Sequence, residues 1–91
     1  MKECQIQALI KNIEAKSDKN SNPYWRLSLP DLPNRYFYAF STDYKLNPET
    51  LATLTKVPFN LINRLVAIAY EELPNKDNHG TFFKVKDLQI I

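Results

Sequence analysis

Aromatic and basic side chains are interleaved in three stretches of this 91-residue sequence, in two of them at two-residue spacing. Tyr24 and Arg26 are so spaced in YWRLSL, Tyr36 and Tyr38 stand beside Arg35 in RYFYAFS, and Phe82, Lys84 and Lys86 punctuate TFFKVKDLQII. A groove for single-stranded nucleic acid needs cations along the phosphate path and flat side chains on which bases stack. Each stacked base is worth about 1–3 kcal/mol by alanine substitution, so two or three such rings support micromolar binding. Two polar segments add further cations: residues 17–23 (SDKNSNP) carry Lys19, and residues 74–80 (PNKDNHG) carry Lys76 beside Asn78 and His79. The candidate contacts are therefore Tyr24, Arg26, Arg35, Tyr36, Tyr38, Lys19, Lys76, Phe82, Lys84 and Lys86.

The same residues also have plainer uses. Tyrosines are good strand formers when half-buried, and lysines alternating along a strand are commonly just solvated. Trp25 shares a face with Leu27 and Leu29, which makes it a core residue rather than a stacking platform. His79 lies between Asn78 and Gly80 and reads as a turn residue, and Cys4 as an ordinary strand residue.

Catalytic chemistry finds less support. Glu71, Glu72 and Asp77 are close in sequence, and paired carboxylates can hold a metal or move protons. Adjacent Glu71 and Glu72 point to opposite faces of a strand, however, and cannot share a ligand. One histidine and one cysteine do not make a zinc site. No nucleophile motif is present, and the single glycine, Gly80, excludes a glycine-rich phosphate loop. The reading is a binding module with no cofactor and no metal, not an enzyme.

The elements that must position these residues follow from composition and periodicity. With 44% apolar and 24% charged residues, the chain reads as one globular domain over residues 1–91. A net charge of +2 announces no polyanionic partner by itself, so the case rests on where the charges fall. Cys4 is alone and has no disulfide partner within the chain. The N-terminal segment MKECQIQALIKNIEAK interleaves charges with apolar residues, unlike a signal peptide. No apolar run approaches the ~18 residues that a membrane-crossing helix needs. A soluble, cytoplasmic protein with no membrane partner is expected.

Residues 4–16 form either a long strand, with Ile6, Ala8 and Ile10 on one face, or a helix through Ile6, Leu9, Ile10 and Ile13. As a strand it needs a bulge near Lys11 and Asn12, where the apolar beat jumps from Ile10 to Ile13. Residues 24–29 and 35–41 pair as an aromatic hairpin through a turn at residues 30–34. In the second of these strands, either Phe37 and Ala39 or Tyr36, Tyr38 and Phe40 face inward. The first register keeps the phenol hydroxyls in water and is the expected one. Asn47, Pro48 and Glu49 begin a helix that runs to about Lys56, ahead of Pro58, with Leu51 and Leu54 toward the core. Residues 64–73 and 81–91 supply the last two strands, with Val66, Ile68, Tyr70, Phe83 and Val85 inward.

This order of strand, strand, strand, helix, strand, strand, with a bulged first strand, resembles the oligonucleotide/oligosaccharide-binding (OB) fold along essentially the whole chain. NPYWRLSL looks like the second strand of single-strand-binding OB domains, and HGTFFKVKDLQI looks like their terminal strand. The resemblance implies an all-β, five-stranded barrel with one helix. It also implies a ligand face on the second and third strands, flanked by the loops at residues 17–23 and 74–80. A glycine often found in the first strand is missing here, so Ala8 or the bulge must provide the bend. The implied partner is single-stranded nucleic acid, DNA ahead of RNA, in a replication, recombination or repair setting. The alternative is a protein-interaction module or small subunit of a larger DNA-processing complex, its exposed aromatics serving as interface anchors. Homo-oligomerisation through exposed strand edges is compatible with either reading.

Overall fold

The computed structural model describes residues 2–74 and 81–91. Strand β1 (Lys2–Leu9) alternates as its sequence dictates, with Glu3, Gln5, Gln7 and Leu9 exposed and Ala8 buried. The ladder then breaks at Ile10 and Lys11 and resumes as β2 (Asn12–Ser17). Ile10 is fully buried and bridges Ile62, while the Lys11 N–H donates to the Ser28 carbonyl at 2.8 Å. The helical reading of this segment is thereby excluded. What the sequence counts as one bulged strand is two, which raises the strand count from five to six. Its halves pair with different neighbours, β1 with β5 (Leu65–Pro74) and β2 with β3 (Pro23–Leu29). One continuous ladder cannot make both turns of the barrel wall, so the pairing lapses where the chain changes direction.

Strand β4 (Leu32–Phe40) follows β3 through Pro30 and Asp31 alone, with Leu29 paired to Leu32. The connection is tighter than the expected turn over residues 30–34. Pro33 cannot donate to a ladder, and it lies where the register slips from Leu29↔Leu32 to Ser28↔Tyr36. Helix α1 (Pro48–Lys56) starts as predicted, with the Asn47 side chain accepting from the Glu49 N–H at 2.9 Å. A 3-10 turn (Pro58–Leu61) leads to β5, and β6 (Thr81–Ile90) closes the circuit. The strand order is β1-β5-β6-β4-β3-β2, with β4 and β6 parallel and the other pairs antiparallel. Since β1 and β2 continue one another, this order closes the sheet into the OB barrel.

The interior holds Ile10, Leu27, Phe37, Val66, Ile68 and Val85, all fully buried, with Trp25 among them. The Phe37 ring lies 5.0 Å from those of both Tyr70 and Phe83. Leu54 of α1 is buried and Leu51 packs partly against the core. Thr50, which sequence periodicity did not single out, is buried as well. Its hydroxyl donates to Asp87 Oδ1 at 2.9 Å and accepts from the Leu88 N–H at 3.0 Å, pinning the helix to β6.

Candidate nucleic-acid interface

Burying Phe37 and Ala39 forces their neighbours on β4 outward, because alternate side chains leave opposite faces of a strand. Tyr36, Tyr38 and Phe40 therefore face outward, opposite Ser28, Arg26 and Tyr24 of β3. Three of the rings form a contiguous patch. Tyr24 lies 5.6 Å from Phe40 and 6.5 Å from Tyr38, and the Tyr38 and Phe40 rings are 6.2 Å apart and within 14° of parallel. Tyr36 is 38% exposed and carries the Arg26 guanidinium 4.4 Å from its ring centre. Phe40 is a member of this patch that the expected contact set omitted. The alternation that exposes Tyr36 and Tyr38 exposes Phe40 too, so the signal was available.

The cations of the face are already engaged. Arg26 donates to Glu14 Oε1 at 2.7 Å, and Lys16 lies 3.6 Å from the other oxygen of the same carboxylate. The hydrogen bond from Arg26 holds the Glu14 carboxyl below its ordinary pKa, and the same bond raises that of Arg26. Lys84 stands opposite Tyr38 across the parallel pairing, 5.8 Å from the Phe40 ring centre and 3.7 Å from Asp43. Lys86 lies 2.6 Å from Asp43 and 2.7 Å from Glu71, both carboxylates being buried. Burial pulls the Lys86 pKa down, but the hydrogen bonds to Asp43 and Glu71 outweigh it and the net shift is upward. For Asp43, burial pushes up, yet the hydrogen bonds from Lys86 and from the Lys45 N–H win, leaving it below the ordinary value. The hydrogen bond from Lys86 lowers Glu71 in the same way.

The remaining candidates are scattered. Arg35 shares the inward phase of Phe37, and its guanidinium covers the Phe83 ring at 5.2 Å, so it is not beside Tyr36 and Tyr38 on the outer face. Phe82 is half-buried on β6. Lys19 is exposed in a tight turn at residues 18–22, where Asp18 Oδ1 accepts from the N–H groups of Asn20 and Asn22. Ser21 adopts a left-handed φ of 64° in that turn. It joins β2 to β3 next to Tyr24, at the edge of the aromatic patch. Lys76, with the rest of the segment at residues 75–80 including His79, lies outside the described residues. Among the described residues, no three His, Cys, Asp or Glu side chains gather as a metal site.

The backbone superposes on the crystal structure of a mitochondrial single-stranded DNA binding protein from S. cerevisiae, Rim1. The TM-score is 0.71 at 17% sequence identity, over 99% of this chain and 95% of that one. No family model matches the sequence, and no curated protein matches it. The likeness is one of fold, and it extends over the whole barrel.

Proposed function

We propose that this protein binds single-stranded nucleic acid, DNA in preference to RNA, across the outer face of β3 and β4. One observation carries the reading: Tyr24, Tyr38 and Phe40 form a patch of rings beside Tyr36, whose face holds a guanidinium. Bases stack on such rings irrespective of sequence, and Arg26 and Lys84 flank Tyr38 where a phosphate chain would run. Lys19 extends the positive path at the Tyr24 end. The fold supports the reading, since OB barrels use this face for ligands and the superposed yeast protein is a single-stranded DNA binding protein. Preference for DNA rests on that likeness alone, which is an analogy of fold.

Titration of a labelled oligo-dT at low salt tests the proposal. Saturable binding is expected, with log affinity falling on log salt by about 0.7 for each phosphate neutralised. No detectable binding at high micromolar protein rejects it.

A further inference from the structure

The surface cations of a polyanion-binding face would be expected to stand free, but here they are held by the protein's own carboxylates. Strand pairing places Glu14, Arg26, Tyr38 and Lys84 in one row across β2, β3, β4 and β6. A carboxylate neighbours the cation at each end of that row, Glu14 on Arg26 and Asp43 on Lys84. The two differ in freedom. The Asp43 side chain is only 2% exposed, whereas that of Glu14 is 35% exposed and can swing away.

Resting on the function proposed above, we infer that Glu14 is a stand-in for phosphate on Arg26, so that a nucleic-acid backbone gains this cation only in exchange for the protein's own carboxylate. A ligand phosphate reaches Arg26 only by displacing Glu14, so the net electrostatic gain at that position is small. The exchange falls alike on any ligand that places a phosphate on Arg26, single strand or duplex. A single strand offers base faces to Tyr24, Tyr38 and Phe40, and its stacking energy is untouched by Glu14. Exchange is feasible because the contact is single: Glu14 takes only one terminal nitrogen of the guanidinium. Phosphate can accept from two nitrogens of the guanidinium fork at once. Glu14 thus acts on affinity through Arg26, as a positioning residue.

The test compares wild type, Glu14→Gln, Arg26→Gln and the double variant, titrated with oligo-dT and with a duplex of matched length over a range of salt. Glu14→Gln is isosteric at a partly exposed site, and thermal unfolding verifies that each variant is folded. The expected result is a gain for both ligands, about two- to fivefold for each. Duplex binding should also steepen by about 0.9 in its log–log salt slope. In the Arg26→Gln background the Glu14 substitution should have a much smaller effect, because only the looser contact with Lys16 at 3.6 Å is then relieved. No gain, or a gain undiminished without Arg26, would overturn the inference. The duplex arm reads Glu14 even if oligo-dT does not bind to wild type, so loss of the functional proposal and loss of this one are separable.

Discussion

The outer face of β3–β4 and the outer side of β6 both carry aromatic and basic residues, yet they differ in where the cations find their partners. On β3–β4 the aromatic rings are exposed or half-buried, and Arg26 meets its carboxylate near the surface. On β5–β6 the loop between β4 and α1 lies over the strands. Its Asn47 N–H donates to the Lys86 carbonyl at 2.8 Å, and its Asp43 joins Lys86 and Glu71 beneath it. Lys86 there is a structural cation. Lys86 looks in sequence like a phosphate contact, but its partners in the fold are two buried carboxylates. Charge type alone does not identify a binding face; what decides is whether the charge already has a partner away from water.

The largest effect comes from removing what the two faces share. Phe37→Ala empties the floor under both and should cost about 3–5 kcal/mol in urea unfolding. Next, Lys86→Met leaves Glu71 without its cation and Asp43 with only Lys84 at 3.7 Å and the Lys45 N–H. It should cost about 2–3 kcal/mol, less than a fully buried pair because Lys86 is itself 15% exposed and Lys84 stays near Asp43, while oligo-dT affinity stays nearly unchanged. Its pH profile sharpens the point. Folding lowers the pKa of both carboxylates, so their contribution is present above the ordinary values of 4.5 for Glu71 and 3.8 for Asp43. That contribution is lost as pH falls through the lower folded values. Wild type should therefore weaken steeply on acidification through and below this window, and Lys86→Met much less.

On the open face the balance reverses. Tyr38→Ala should lose about 1–3 kcal/mol of oligonucleotide affinity with a minor change in unfolding midpoint. A large stability loss with unchanged affinity would make Tyr38 a scaffold residue and erase the contrast. The smallest effect is expected from Asn47→Ala, which removes the α1 cap and loosens the covering loop, about 1 kcal/mol by thermal unfolding.

Much of the barrel was legible because strand periodicity is a local property. The inward sets Trp25, Leu27 and Leu29 on β3, Phe37 and Ala39 on β4, and Val66 and Ile68 on β5 follow from alternation, and all are buried. The helix start at Asn47 and Pro48 was equally readable, because a cap acts within a few residues. The split of the first strand was visible only as a jump between Ile10 and Ile13; that its halves pair with β5 and β3 depends on chain closure. The Glu14–Arg26 contact lay within reach. The hairpin joining β2 to β3 pairs Ser17 with Pro23, and counting back along both strands brings Glu14 opposite Arg26.

What the sequence determined by itself, then, was the set of elements and the face each side chain takes, since backbone alternation and capping act over a few residues. Which cations stay available, and which are matched by Asp43, Glu71 or Glu14, was decided by tertiary structure. Those partners come from different strands and one loop, and only the closed barrel brings them within hydrogen-bond distance. Once there, burial and charge set their worth, which no local pattern records.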